Sequence, residues 1–199
     1  AKYSPHLKIE GLVAEYFDGL KWLSNLDQQH NVVLFLGSSI GNFSHFDARV
    51  FLHSLWNALN DGDHIFIGFD LKKDIQQLAR AYNDSQGITA QFNLNLLRRI
   101  NRELGGDFNL DQFQYYSAYN VLSGAIESYL ISCKNQVVYI EALNQSFYFQ
   151  AWEPLHTEYS HKFLESDISL LAEETGFKVV HQLCDSRRCF IDSLWQARK

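Results

Sequence analysis

This chain of 199 residues contains few of the residues that mark fibrous, disulfide-rich or membrane proteins. It has 3 Cys, 2 Pro, 11 Gly and no Met. A low, odd cysteine count excludes a disulfide framework and favours a reducing compartment, so we expect a cytoplasmic protein. The longest apolar runs, such as residues 32–36, are too short to cross a bilayer, so we expect no membrane association.

Positive charge is also scarce. Lys and Arg number 17 against 23 Asp and Glu, which gives a net charge of −6. This balance argues against a nucleic-acid backbone as the main partner. Hydrophobic residues make up 46% and aromatic residues 15%, enough to bury the core of one domain with a modest insertion.

The first part of the chain has the pattern of a parallel sheet. Residues 32–36 form a continuous apolar run, typical of a strand buried on both faces, and residues 64–69 form a second. Helical spacing over 46–59 and a turn over 60–63 connect them, which predicts one βαβ unit with a right-handed crossover. Upstream, the pattern predicts a short strand over 8–16 and a helix over 17–26.

The second part of the chain has a different residue pattern. Helices are predicted over 71–82, 92–104 and 167–175, and a closing hairpin over 177–183 and 189–196. Residues 113–150 alternate and are rich in Tyr, Val, Ile and Phe, which predicts two or three antiparallel strands. The expected architecture is therefore an α/β sheet with an antiparallel insertion over 88–158.

The loop after the first buried strand is a candidate binding site. Open α/β sheets bind ligands at the carboxyl ends of their parallel strands. Gly37 and Gly41 would let the backbone approach a ligand closely, and Asn42 offers both a donor and an acceptor. The alternative is a simple turn before a helix, with Asn42 or Ser44 as the N-cap.

The same loop also spells G-x-S-x-G, the motif of a serine hydrolase with Ser39 as the nucleophile. Asp70 and one of His156, His161 or His181 would complete the triad. This interpretation is weaker, because the helix begins several residues after the serine and no strand end clearly presents the histidine.

Residues 156–162 concentrate polar groups. In a strand, alternate residues share a face, so His156, Glu158, Ser160 and Lys162 are expected to point the same way. The alternative is a solvated edge strand on which Glu158 pairs with Lys162. These residues do not have the spacing of a closed set of metal ligands, and neither do the cysteines and His181 near the C-terminus. No metal site is therefore expected.

Together these stretches resemble one family. The loop over 35–43 is similar to the signature loop of the histidine-specific, S-adenosylmethionine-dependent methyltransferases, which make hercynine in ergothioneine biosynthesis. Four further stretches resemble the family in the same order, namely 61–63, 70–74 with 81–84, 87–93 with 101–104, and 157–163. The resemblance covers nearly the whole chain.

The resemblance implies a fold and a cofactor. It implies a partial class I methyltransferase sheet, Rossmann-like, formed by 1–87 and 159–199, with 88–158 as an inserted antiparallel substrate subdomain. It also implies S-adenosylmethionine as the cofactor. The positions that match its binding residues are Glu15 and Tyr16 beside the adenine, and Gly37 and Ser39 in the loop by the methionine part.

The resemblance also implies a small-molecule substrate and the residues that hold it. Asn42 and Tyr82 match the residues that hold the amino and carboxylate end of histidine, and they orient the reacting nitrogen. Glu158 and Ser160 match the pair that binds the imidazole ring. Ser128 stands where the histidine-specific enzymes have an apolar residue near the ring, so tryptophan or another aromatic amine is an alternative substrate.

One departure from the family concerns the N-terminal side. Family members carry a strand and a Gly-rich turn upstream that cradle the cofactor, and this chain has neither. We therefore expect a fragment, a truncated copy or one part of a longer polypeptide, with the N-terminal half as its partner. A truncated, non-catalytic domain is a further alternative.

Overall fold

The computed structural model describes residues 9–23 and 30–199, which form five α-helices and nine strands. The helices are α1 (Tyr16–Leu23), α2 (His45–Ala58), α3 (Ile75–Tyr82), α4 (Ile88–Leu104) and α5 (Glu165–Glu174). The strands are β1 (Val32–Phe35), β2 (His64–Asp70), β3 (Phe113–Asn120), β4 (Ala125–Ser132), β5 (Gln136–Ile140), β6 (Gln145–Phe149), β7 (Pro154–His161), β8 (Phe177–Cys184) and β9 (Phe190–Ala197). Across these residues, no helix is both long enough and apolar enough to cross a membrane.

The main sheet has the strand order β1-β2-β9-β8. β1 and β2 are parallel, and α2 connects them, which confirms the predicted βαβ unit. β8 and β9 form the predicted hairpin, and β9 runs antiparallel to β2. Buried residues of β2, α2, α5 and β9 form the main hydrophobic core, in which Leu52, Ile67 and Trp195 are fully buried.

The prediction that the first strand is buried on both faces is wrong. Val32 and Leu34 are 60% and 63% exposed, whereas Phe35 is only 9% exposed. β1 pairs only with β2, so it is the edge strand of the sheet that these residues form. Alternate side chains point to opposite faces, and only the face with Val33 and Phe35 packs against the core.

The predicted strand over 8–16 is also wrong. Residue 8 lies outside the described residues, 9–15 have no regular structure, and Tyr16 already begins α1. The ring of Tyr16 packs against Phe35 and Phe51 at centroid distances of 5.7 and 5.8 Å. These contacts hold the first turn of α1 against β1 and α2. The predicted helix over 17–26 is confirmed as far as Leu23, and 24–26 lie outside the described residues.

The antiparallel region is confirmed, with more strands than predicted. Four strands, β3 to β6, cover 113–149, and β7 joins β3 and β4 in a separate sheet of order β3-β4-β7. β5 and β6 form a hairpin of their own. A second core cluster lies under these strands and includes Leu97, Phe113 and Leu130. The strand β7 runs past residue 158 to His161 and so leads from the insertion to the main sheet.

Capping side chains decide where two helices begin. α3 starts at Ile75, later than predicted, because the Asp74 carboxylate accepts a hydrogen bond from the third residue of the helix. α4 starts at Ile88, earlier than predicted, because the Asp84 carboxylate accepts from two of the first backbone N–H groups. The hydrogen bonds from Thr89 and Ile88 lower the pKa of Asp84 to about 2.

Candidate active site

The loop after β1 is a short 3₁₀ helix, Ser39–Asn42, tied to the end of β2. The Ser38 hydroxyl accepts a hydrogen bond from the backbone N–H of Asp70 at 3.0 Å. The Ser39 hydroxyl donates to the carbonyl oxygen of Leu36 at 3.1 Å. In the described part of the chain, no hydrogen bond joins Ser39 to an imidazole or a carboxylate, so the contacts expected of a hydrolase triad are absent there.

Gly41 allows a close approach, but to protein rather than to a ligand. A Cβ atom at Gly41 would lie 2.8 Å from the carbonyl oxygen of His161, at the end of β7. This contact sets the loop against β7 and fixes the position of Asn42 beside it. The expectation that Gly41 faces a ligand is therefore replaced by a packing role.

Gly37 has the open surroundings that a bound cofactor needs. Its φ is 74°, in the region that favours glycine, and a Cβ atom added there would meet no atom within 4 Å. It lies at the carboxyl end of a parallel strand, where open α/β sheets bind ligands. Tyr16 packs nearby on Phe35, and Glu15 is exposed just before α1. These residues fit an approach of S-adenosylmethionine to the end of β1.

Asn42 and Glu158, predicted from separate motifs, line the same cavity. Its volume is about 570 Å³. α4 forms one wall of the cavity and β7 forms the other. The lining residues include Asn42, Phe92, Asn93, Arg99, His156, Thr157, Glu158 and Tyr159. The size and the mixed polar and aromatic lining suit a small amino acid. Ser128, Tyr82 and Ser160 do not line it, and neither do the four cofactor candidates.

Among the described residues, the Glu158 carboxylate has no hydrogen-bond or ion-pair partner. It is half-buried, and it forms no hydrogen bond or ion pair with any other described residue. Burial raises the pKa of Glu158, and the nearby charges of Lys162 and His156 oppose that shift only in part. The alternative in which Glu158 pairs with Lys162 on a solvated face is wrong, since Lys162 is 2% exposed and pairs with Asp70 instead.

A β-bulge in β7 changes which residues share a face. Ser128 of β4 pairs with Glu158, whereas the next residue, Tyr129, pairs with His156, so Thr157 is the extra residue. Cross-strand partners lie on the same face, so His156 falls on the face opposite to Glu158. The prediction that His156 points the same way as Glu158 and Ser160 is therefore wrong. The Thr157 hydroxyl lies 2.8 Å from Asn93 Oδ1, which ties the bulge to α4.

Tyr82 and Ser160, predicted for opposite ends of the substrate, are in direct contact. Their hydroxyl oxygens are 2.7 Å apart. Lys162 Nζ lies 2.9 Å from the Tyr82 hydroxyl, 2.6 Å from the Ser160 hydroxyl and 3.0 Å from Asp70 Oδ2. Neither Asp70 nor Lys162 is among the residues predicted for the methyltransferase site, and Asp70 was a candidate only for the hydrolase triad. The signal in the sequence for Lys162 is its alternate spacing with Glu158 and Ser160.

Ser128 is buried on β4, directly opposite Glu158. Its hydroxyl lies 3.2 Å from the Tyr115 hydroxyl. The serine therefore has a hydrogen-bond partner within the protein, and it places a small side chain beside the Glu158 position.

Comparison with known proteins gives the family context. A family model described as "Histidine-specific methyltransferase, SAM-dependent" matches residues 1–197. The histidine N-alpha-methyltransferase of Mycolicibacterium smegmatis is 35% identical over 181 residues, which are 91% of this chain and 56% of that protein. The enzyme of the same name from Mycobacterium tuberculosis is 43% identical over 130 residues, which are 65% of this chain and 40% of that protein. The chain thus spans about half the length of these relatives.

Solved structures with a partly similar backbone include the CcbJ methyltransferase from Streptomyces caelestis. The TM-score is 0.44 and the identity 12%, over 89% of this chain and 62% of that one. This level of superposition is too low to add to the family match.

Proposed function

Because this chain belongs to the histidine-specific, S-adenosylmethionine-dependent methyltransferase family, we propose that it carries the substrate site of an enzyme that methylates the α-amino nitrogen of histidine. The product after three transfers is hercynine, an intermediate of ergothioneine biosynthesis. In this proposal, residues 88–158 form the substrate subdomain, and 1–87 with 159–199 form the core that carries the cofactor.

One observation carries the proposal, namely the arrangement of polar groups along β7. Glu158 brings an unpaired carboxylate to the cavity that Asn42 also lines. Two residues further on, the Ser160 hydroxyl contacts Tyr82 from α3. Asn42 and Tyr82, proposed for one end of an amino-acid substrate, thus both lie close to β7, which carries the two residues proposed for the other end.

Each protein group has a chemical task in this proposal. S-adenosylmethionine, when bound, supplies the methyl group. Asn42 and Tyr82 hold the amino and carboxylate end, so that the nitrogen lone pair is aimed along one line. Glu158 accepts a hydrogen bond from a ring N–H of histidine, and Ser160 completes the recognition of the ring. Glu15, Tyr16, Gly37 and Ser39 are proposed to hold the cofactor at the end of β1.

The pairing at Glu158 favours histidine over an apolar ring. A half-buried carboxylate without a partner is costly, and a ring N–H donor satisfies it. Tryptophan also has a ring N–H, but on a larger ring, and it cannot become protonated. The three free cysteines, Cys133, Cys184 and Cys189, suit a reducing compartment, and we place the reaction in the cytoplasm.

The test is a methyl-transfer assay with the full-length protein. Histidine, tryptophan and phenylalanine are offered separately with S-adenosylmethionine, and the products are identified by mass spectrometry. We expect mono-, di- and trimethylated histidine, and no product from phenylalanine. Methylation of tryptophan in preference to histidine would contradict the proposed substrate, and the absence of any methyl transfer would contradict the proposed activity.

A further inference from the structure

The buried lysine between the two candidate substrate hydroxyls has no task in the function proposed so far. Lys162 follows β7 and is 2% exposed. Lysine is almost never buried to this extent without partners. Among residues 9–23 and 30–199, its ammonium group has three, namely Asp70 Oδ2 at 3.0 Å, the Tyr82 hydroxyl at 2.9 Å and the Ser160 hydroxyl at 2.6 Å.

The number of N–H and O–H donors in this cluster determines the direction of its hydrogen bonds. An ammonium group has three N–H donors and no acceptor, so both hydroxyls accept from Lys162. The hydroxyl oxygens of Tyr82 and Ser160 are 2.7 Å apart, so one of them donates to the other. Each hydroxyl has a single hydrogen, and one of the two is used between them. Within the described part of the chain, a single O–H therefore has no other acceptor and can donate to a bound molecule.

The ion pair with Asp70 holds the ammonium group in place. Asp70 ends β2, and its backbone carbonyl accepts from Phe163, the residue after the lysine. Its carboxylate also pairs with Lys73, which makes no hydrogen bond to either hydroxyl among the described contacts. Asp70 therefore has a second cationic partner if Lys162 is replaced.

We propose that Lys162 is a positioning residue for histidine binding. It acts through Tyr82 and Ser160, by holding their hydroxyls as acceptors so that one defined O–H faces the substrate. This role rests on the function proposed above and adds to it a residue that touches neither the reacting nitrogen nor the ring. Because the lysine links the residues assigned to the two ends of the substrate, its loss is expected to weaken recognition of the whole molecule.

The experiment compares Lys162→Met with Lys73→Met in the full-length protein. Both replacements remove an ion pair with Asp70, but only the first removes donors from the hydroxyls. We expect Lys162→Met to raise KM for histidine about tenfold or more, with cofactor affinity changed by less than about twofold. Lys73→Met should change KM for histidine by less than about threefold. Equal effects of the two replacements would overturn the positioning role.

A second comparison separates positioning from a purely structural effect. In a Tyr82→Phe/Ser160→Ala background both hydroxyls are gone, so Lys162→Met should change KM by less than about twofold further. A structural role predicts the same added effect in both backgrounds, and that result would refute the proposal. If Lys162→Met does not fold, Lys162→Gln is measured by the same criteria, and failure of both to fold would assign Lys162 to stability. If the wild-type protein does not methylate histidine, the proposed function fails; if only the lysine comparisons fail, the function stands.

Discussion

Replacement of Glu158 by glutamine tests the central contact of the proposed site. Glu158→Gln keeps the size of the side chain and removes its charge. A charge-assisted hydrogen bond contributes about 1.5–3 kcal/mol. The amide oxygen of glutamine still accepts a hydrogen bond, about half as strong, so the loss is about 0.75–1.5 kcal/mol. At about 1.4 kcal/mol for each factor of ten, this loss should weaken histidine binding roughly 3- to 12-fold. The cofactor candidates do not line the cavity that contains Glu158, so cofactor affinity should stay nearly constant.

The same replacement should weaken histidine binding but increase the stability of the folded protein at high pH. Burial raises the pKa of Glu158, so the folded protein holds this proton more tightly than the unfolded chain does. The contribution of the carboxyl group to stability is therefore complete below about pH 4 and is lost as the pH rises through the raised value. Glu158→Gln should be more stable than the wild type at pH 8, by less than about 1 kcal/mol because solvent reaches the half-exposed group. The two proteins should be equally stable near pH 4.

Glu127 provides the matched control on the neighbouring strand. Its carboxylate accepts hydrogen bonds from Tyr129, Asn120 and Ser123, and these lower the pKa of Glu127, with the Tyr129 hydroxyl contributing most. The same contact raises the pKa of Tyr129 to about 12. Glu127→Gln should therefore reduce stability at neutral pH, whereas Glu158→Gln should increase it.

The assays are calorimetric titration of histidine, steady-state methyl transfer and urea unfolding between pH 4 and pH 8. The predicted role of Glu158 is refuted if Glu158→Gln binds histidine within about twofold of the wild-type affinity. It is also refuted if both glutamine replacements shift stability in the same direction at pH 8.

Two further replacements test how the structure supports the site. Gly41→Ala would place a Cβ 2.8 Å from a backbone carbonyl oxygen at the end of β7, so it should cost about 1–3 kcal/mol in urea unfolding and weaken histidine binding. Gly19→Ala is the control, because Gly19 lies within α1 and an added Cβ would meet no atom within 4 Å. This variant should be as stable as the wild type or slightly more stable. Equal stability of the two variants in urea would contradict the close packing at Gly41. Asp63 is fully buried; burial alone would raise its pKa, but hydrogen bonds from Asn31 and Asn60 outweigh burial and lower it. Asp63→Asn should cost about 1–3 kcal/mol at pH 6, and the difference should shrink as the pH falls from about 4 towards 2; a pH-independent difference would argue against this account.

The parts of the fold that could be predicted are those with local signals. The apolar runs, the helical spacing between them and the turn at 60–63 predicted the parallel βαβ unit, because burial patterns and turn residues act over a few neighbours. The alternating pattern over 113–150 likewise predicted antiparallel strands in the insertion. The helix starts were less accurate, because the capping carboxylates of Asp74 and Asp84 outweighed the apolar pattern.

The sequence by itself therefore determined the order and type of most elements, and the motifs that resemble one methyltransferase family. Only the tertiary structure decided the contacts within the site. Tyr82 and Ser160 are 78 positions apart, and their hydroxyls meet only because β7 returns beside the end of α3. The bulge at Thr157, which separates His156 from Glu158, depends on the pairing of β7 with β4. The buried pairing of Lys162 with Asp70 and the exposure of one face of β1 follow from which strands become neighbours, a property that no local pattern encodes.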